Sequence, residues 1–169
     1  SEIKVPELFQ GTWDHVLILT YGANLPFWEN ALWGQLPARC RNRIILADGK
    51  SYLGACVSYA RDGLIRRLNH QYVADGIFGL LTAHAKVILL TNEEKGRLLV
   101  GSGNLNLEGY ASGGELFVCY EYAPDAQDAL SAFQEISNLL QILIRREYLS
   151  LRLAQQRIEY LLEHTPWLS

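Results

Sequence analysis

The chain has 169 residues, the size of one ordinary domain, and 49% of them are hydrophobic. Charged residues make up 20%, close to the globular average, so a disordered or low-complexity chain is excluded. Fifteen Lys and Arg residues stand against 18 Asp and Glu residues, which gives a formal net charge of −3. Any contact with nucleic acid must therefore come from a local basic patch.

The cysteines and the hydropathy of the sequence indicate the cellular compartment in which the protein is expected. Cys40, Cys56 and Cys119 are an odd number without the spacing of a zinc site, so we expect a reducing, cytoplasmic compartment. Cys119 lies in an apolar run and is expected to be buried. No apolar run reaches the roughly 20 residues that cross a bilayer, and we expect no membrane association. The chain begins at Ser1 and contains no methionine, so we expect a trimmed form with possible further domains beside it.

The first half of the chain alternates between strand and helix patterns. Apolar runs predict strands at residues 15–21 and 43–47. A helix is predicted between Asn24, as its cap, and Pro37, and a second helix at residues 51–61. This order predicts parallel strands with helices packed on the faces of the sheet.

Strands dominate the middle of the chain and helix its end. Further strands are predicted at residues 72–78, 83–91, 98–102 and 115–122. Residues 125–164 have helical periodicity, but about 60 Å of unbroken helix would exceed the diameter of the domain. We therefore predict a break near 148–151, or a helix that leaves the body of the domain to contact a partner. We predict one α/β domain, residues 1–169, with a mixed sheet and a long C-terminal helical segment.

The polar segment 91–96 predicts an antiparallel hairpin between two of these strands. A turn near the middle of that segment would place His84 opposite Asn104 and Lys86 opposite Ser102. Because alternate residues of a strand share a face, the four side chains would form one patch. An imidazole, an ammonium, a hydroxyl and a carboxamide can all act on or hold a phosphate oxygen.

Glu115 begins the next predicted strand and completes this patch. Its carboxylate would hold one ring nitrogen of His84 and leave the other as a nucleophile. Lys86 and Asn104 would stabilise charge on the phosphoryl oxygens. Because Lys86 supplies positive charge, we expect no metal and no other cofactor. The alternative for each motif alone is an ordinary half-exposed pair or turn.

Two further groups are candidate substrate contacts. Gly101 and Gly103 would let a substrate approach the backbone closely. Arg39, Arg41 and Arg43 alternate along the chain and would line a channel for a polyanionic backbone, with Arg41 and Arg43 as the binding residues. The alternative for these arginines is a solvated surface.

The motifs resemble the HxK…GSxN…E signature of the phospholipase D superfamily, especially its bacterial phospholipase D-like nuclease branch; they are His84-Ala85-Lys86, Gly101-Ser102-Gly103-Asn104, Gly109 and Glu115. The resemblance implies an α/β/α sandwich and a metal-independent phosphodiesterase in which His84 forms a covalent phosphohistidine. It also implies that Lys86 and Asn104 grip the phosphate with help from Ser102, and that Glu115 orients His84.

The sequence departs from the family pattern at two positions and holds only half a site. Thr91 stands where the family has Asp, and Gly114 where many relatives have Asn. The family mechanism uses two histidines, one as nucleophile and one as general acid, but no second HxK occurs in the chain. We therefore expect a two-fold homodimer with two copies of His84 in one shared site, or a second half supplied by a segment outside this sequence.

Three functions follow from these expectations. The first is a nuclease, specifically an endonuclease acting on DNA rather than RNA. A phospholipid phosphodiesterase is the second, disfavoured because no signal or basic amphipathic helix is evident. The third is a catalytically silent domain that binds nucleic acid or assembles with an active partner, favoured by Thr91, Gly114 and the single motif copy.

Overall fold

The computed structural model describes residues 4–79, 86–111 and 115–169. Within these residues, six strands form one sheet in the order β3-β2-β1-β4-β5-β6. Their bounds are β1 His15–Thr20, β2 Asn42–Asp48, β3 Val73–Ile77, β4 Lys86–Thr91, β5 Gly96–Gly101 and β6 Phe117–Tyr122. β1 to β3 are parallel, and β4, β5 and β6 follow in antiparallel order. The predicted α/β fold with a mixed sheet is confirmed.

Helices lie on both faces of this sheet. Their bounds are α1 Leu25–Phe27, α2 Gly49–Arg61, α3 Leu107–Ala111, α4 Leu130–Arg145 and α5 Arg152–Glu163. Short 3₁₀ turns are found at Val5–Phe9, Trp33–Gln35 and Pro166–Leu168, and a π-helical turn at Trp28–Leu32. In the part of the chain that the structure describes, no helix combines the length and apolarity needed to cross a bilayer.

β1 shows why the central strands are continuous apolar runs in the sequence. Val16 and Ile18 pack on one face with α1, α2 and α3, while Leu17 and Leu19 pack on the other with α4 and α5. All six residues of β1 are buried, since both faces of the sheet are covered. Each fully buried Leu or Ile contributes roughly 1.5–3 kcal/mol of transfer free energy, so this strand is held firmly from both sides.

The helix predicted after Asn24 is irregular in the structure. Asn24 does cap it, because its Oδ1 accepts a hydrogen bond from the Phe27 N–H at 3.0 Å. After α1, however, the chain widens into the π-helical turn and then tightens into a 3₁₀ turn. In the wide turn Trp28 and Glu29 are both buried, and the Glu29 carboxylate accepts a hydrogen bond from the Tyr72 hydroxyl at 2.8 Å.

The predicted break in the C-terminal helical segment is confirmed, and Asp75 on β3 explains its position. α4 ends at Arg145 and α5 begins at Arg152. The fully buried Asp75 carboxylate accepts hydrogen bonds from the Ser150 hydroxyl and from the Leu151 N–H, the latter at 2.8 Å. It therefore caps α5 from the sheet and sets where the chain turns.

One expectation about burial is wrong. Cys119 is exposed, because β6 is the edge strand of the sheet and its outer side is uncovered. Neighbouring Val118 is also exposed, by 56%. The apolar composition of this strand therefore does not report a buried position.

Candidate active site at the carboxyl edge of the sheet

Four of the predicted site residues lie at one edge of the sheet, where the parallel strands end: Lys86, Ser102, Asn104 and Glu115. We call this the carboxyl edge; it is formed by Thr20, Asp48, Ile77, Lys86 and Gly101. β4 runs antiparallel to β1, so its first residue lies beside the last residue of β1. Ligands of open α/β sheets bind outside the carboxyl ends of the parallel strands, which makes this edge the natural place for a site.

The hairpin register differs by one residue from the prediction. Lys86 is paired with Gly101 rather than with Ser102. The turn is a four-residue loop, 92–95, in which the Asn92 Oδ1 accepts the backbone N–H groups of the last two loop residues at 2.9 and 2.7 Å. This side-chain cap fixes the loop length and so shifts every cross-strand pair by one position.

Lys86 is half-buried at the start of β4. Among the described residues, no carboxylate forms an ion pair with its ammonium group. His84 lies outside the described residues, as does Gly114, so the predicted contacts of His84 with Asn104 and Glu115 stay predictions.

Asn104 is held against the end of β1 by its side-chain oxygen. Its Oδ1 accepts hydrogen bonds from the backbone N–H groups of Tyr21 and Gly22, at 3.2 and 3.3 Å, and lies 3.1 Å from the Thr20 Oγ1. Because backbone N–H groups can only donate, the amide cannot be flipped, and its NH₂ group is directed away from β1. Within the described residues no acceptor binds this NH₂ group.

The segment that carries Asn104 is anchored by backbone contacts as well. The Leu105 N–H donates to the Thr20 Oγ1 at 3.1 Å, and the Leu105 carbonyl accepts from the Asn24 N–H at 2.8 Å. Leu105 itself is fully buried. The sequence did not indicate the role of Thr20; the one signal was a polar residue at the end of an otherwise apolar strand.

Ser102 and Glu115 meet beside this segment. The Ser102 hydroxyl donates to the Glu115 Oε2 and accepts from the Leu116 N–H at 3.2 Å. A serine hydroxyl has one proton, so in this arrangement it serves Glu115 and not a substrate. Ser102 thus positions the Glu115 carboxylate in this structure, and its predicted assistance in phosphate binding stays a prediction.

Two glycines of the motif are packed against neighbouring backbone. A Cβ at Gly101 would collide with the carbonyl of Leu116, and one at Gly103 with the carbonyl of Gly109. Packing alone therefore requires glycine at both positions, and the close approach of a substrate to this backbone stays a prediction.

Arg41 and Arg43 lie at the opposite edge of the sheet. Arg43 is the second residue of β2, and the five steps from it to Asp48 place its backbone roughly 17 Å from the carboxyl edge. Its guanidinium is buried and donates to the carbonyls of Cys40, Trp33 and Pro37 at 2.6, 3.0 and 3.4 Å. The structure does not bring these arginines together with Lys86.

Comparison with known protein-family models gave no match, and comparison with curated proteins gave none. The resemblance to the phospholipase D superfamily thus rests on the motif residues alone. Across residues 4–79, 86–111 and 115–169, no group of three or more His, Cys, Asp and Glu side chains is arranged to hold a metal ion.

Proposed function

We propose that this protein is a metal-independent phosphodiesterase that cleaves nucleic acid at the carboxyl edge of its sheet. The observation that supports this most directly is the fixed Asn104 amide, whose NH₂ group is directed away from β1 at the edge where Lys86 begins β4. A fixed amide donor and an ammonium without an ion-pair partner among the described residues are suited to the charge that develops on phosphoryl oxygens.

In the proposed reaction, a ring nitrogen of His84 attacks phosphorus. The P–N bond forms as the bond to the leaving oxygen breaks, and a second histidine gives that oxygen its proton. Water then attacks phosphorus from the vacated side, loses its proton to the second histidine and releases His84. Lys86 and Asn104 stabilise the phosphoryl oxygens throughout.

Glu115 orients His84 in this proposal. Ser102 occupies the Oε2 of the carboxylate, and the other oxygen, Oε1, is then the acceptor for the N–H of the imidazole. This contact fixes the tautomer, so that the reactive nitrogen is unprotonated.

The second histidine comes from a second copy of the chain. Exposed large apolar residues surround the carboxyl edge, and we call them the apolar rim: Tyr21, Leu53, Phe78, Leu107 and Leu116. Leu116 is exposed by 82%, which is unusual for a leucine next to polar groups of a site. A two-fold partner seated on the rim would cover it and complete the site with its own histidine.

Thr91, the departure from the family pattern, is not at this edge. It ends β4 at the far side of the sheet, is fully buried, and its Oγ1 lies 3.2 Å from the Thr165 Oγ1. Its identity therefore removes no group from the proposed site, which weakens the case for a silent domain.

The reaction is tested in chelator with single-stranded DNA, double-stranded DNA, RNA, a chromogenic phosphodiester and a phospholipid. We expect nucleic-acid cleavage that is abolished in His84→Ala and falls roughly 100-fold or more in Lys86→Ala. Lys95→Ala, in the loop at the other end of the same hairpin, is the matched control and should retain activity. Full activity in Lys86→Ala, or turnover of phospholipid alone, would contradict the proposal.

The shared site is tested by mixing subunits. If each site needs both histidines, replacing wild-type chain with His84→Ala chain at constant total concentration should lower activity with the square of the wild-type fraction. The same chain carrying Leu107→Glu, which places a charge in the apolar rim, should not inhibit. A decrease simply proportional to the wild-type fraction would show that each chain holds a complete site.

A further inference from the structure

A cavity of about 550 Å³ opens at the edge of the sheet opposite the carboxyl edge, near the start of β2. Its charged or titratable lining residues are Arg41, Arg43, Arg157 and His70, beside Trp33, Ala38, Cys40 and Gln71. No carboxylate is among the described residues that line it. We call this the basic cavity.

The most deeply buried positive charge of the basic cavity is that of Arg43. Arg43 is only 6% exposed, and its guanidinium lies over the Trp33 ring at 4.0 Å. Arg67 lies over the same side chain at 4.9 Å. Burial lowers the pKa of Arg43, and the neighbouring positive charge of Arg67 lowers it further. A bound anion would offset this repulsion.

The buried carboxylate of Glu29 does not neutralise the guanidinium groups of Arg43 and Arg67. Its Oε1 accepts the backbone N–H groups of Arg66 and Arg67 at 2.8 and 3.1 Å, and its Oε2 accepts the Tyr72 hydroxyl. Neither oxygen is bonded to a guanidinium. Arg41 and Arg157 are exposed and, among the described residues, have no ion pair.

A neighbouring cavity is less suited to an anion than the basic cavity. It shares Arg41 and Arg157 with the basic cavity but is also lined by Asp14, Glu93 and Glu163. Arg39 pairs with Asp14 at 2.8 Å, but Glu93 and Glu163 oppose an anion there. The two shared arginines can instead turn toward the basic cavity, where Arg43 adds charge and no described carboxylate is among the lining residues.

We propose that the basic cavity binds a phosphate group, carried by a nucleotide or by a nucleic-acid strand, through Arg41, Arg43 and Arg157. One guanidinium group can donate two parallel hydrogen bonds to two oxygens of a phosphate. Three guanidinium groups around one cavity are therefore suited to a multiply charged anion. Across β1, the strand register places Lys86 roughly 15 Å from Arg43, whose guanidinium is hydrogen-bonded to backbone carbonyls at the opposite edge. The site therefore does not hold the phosphate that is cleaved. It does not depend on the proposed catalysis.

Calorimetric titration in chelator tests this site in the His84→Ala chain, which by the proposed mechanism cannot cleave an oligonucleotide. Four probes are used: inorganic phosphate, pyrophosphate, adenosine monophosphate and an oligothymidylate. We expect saturable binding of at least one probe, weakened roughly tenfold or more in Arg41→Gln and Arg157→Gln. Both side chains are exposed, so both variants should fold. Arg43→Gln is avoided because three backbone carbonyls would lose their donors.

The control is Arg145→Gln, which removes an exposed arginine from the end of α4 and should leave binding unchanged. Preference for the mononucleotide would identify a free nucleotide as the source of the phosphate, and preference for the oligonucleotide a strand. Lys86→Ala should still bind the preferred probe, which separates this site from the catalytic proposal. Absence of binding by all four probes, or equal weakening in Arg145→Gln, would overturn the inference.

Discussion

The side-chain oxygen of Asn104 lies 3.1 Å from the hydroxyl of Thr20, and this contact joins the loop after β5 to the end of β1. The Thr20 hydroxyl also accepts the Leu105 N–H, so it connects to two successive residues of that loop. The backbone of Tyr21 and Gly22 completes the arrangement. A single strand end therefore sets the direction of the one amide that we assign to phosphate binding.

Asn104→Asp tests this arrangement. The new carboxylate can still accept from Tyr21 and Gly22, so the fold should be kept, but an anionic oxygen replaces the NH₂ group. We expect kcat/KM for phosphodiester cleavage to fall roughly 100- to 1,000-fold, with little change in melting temperature. Asn106→Asp is the control, because its Oδ1 caps the Gly109 N–H at 2.7 Å and it adds the same charge nearby. Equal losses in the two variants would indicate a general charge effect.

Gly109 supports Asn104 from the other side. A Cβ on Gly109 would collide with the backbone of Asn104, including its carbonyl oxygen. We expect Gly109→Ala to displace Asn104, lower activity and cost about 1–3 kcal/mol of unfolding free energy.

The comparison for that variant is Gly54→Ala in α2, where a Cβ would meet no atom within 4 Å. A helical glycine in open space should gain about 0.5–1 kcal/mol on becoming alanine. Chemical denaturation measures both changes. Wild-type activity and stability in Gly109→Ala would show that the loop adjusts and that the close contact is not needed.

Sequence patterns were sufficient to predict those elements whose structure is determined by the residues of the element itself. The run at β1 is apolar because both faces are covered, and Asn24 caps α1 through its own side chain. They were insufficient where one specific side-chain contact decides, whether that contact is local or distant. The hairpin register depends on the Asn92 cap of its loop, and the start of α5 on Asp75, which is 76 residues before Leu151.

The candidate site was predicted in part for the same reason. The motif spacing brought Lys86, Ser102 and Asn104 to one edge of the sheet, as the hairpin required. It did not show that Thr20 orients Asn104, because that contact spans 84 positions. Nor did it place Arg43, whose alternation with Arg41 resembles a surface pattern although its guanidinium is buried.

The stability of the C-terminal helices should depend on Asp75. Its carboxylate accepts from the Ser150 hydroxyl and the N–H groups of Leu151 and Gly76. We expect Asp75→Ala to cost about 2–3 kcal/mol, since it leaves one buried and two partly buried donors without their acceptor. Asp62→Ala, at an exposed carboxylate at the end of α2, should change stability by less than about 0.5 kcal/mol. Urea denaturation distinguishes the two, and similar small costs would mean that water replaces the Asp75 cap.

His15 lies at the start of β1 in a buried, polar contact. It is 3% exposed, and its Nδ1 lies 3.0 Å from the Asn42 Nδ2, which also donates to the Arg157 carbonyl at 3.1 Å. Because that carbonyl can only accept, the Asn42 nitrogen must face both partners, and the His15 Nδ1 must be unprotonated. The neutral ring therefore carries its proton on Nε2.

This arrangement predicts acid sensitivity. Burial lowers the pKa of His15 from 6.5 to about 4; Asp14 opposes the shift and His164 adds to it. Between these values the unfolded chain binds the proton and the folded chain does not, so His15 favours unfolding increasingly as the pH falls, by about 3 kcal/mol at the lower limit. His15→Gln, whose side-chain oxygen can accept from Asn42, should therefore lose less stability than the wild type between about pH 7 and pH 4. Urea denaturation across that range measures the difference. His70→Gln, at an exposed ring, should follow the wild-type curve, and a His15→Gln curve parallel to it would show that His15 is charged in the folded state.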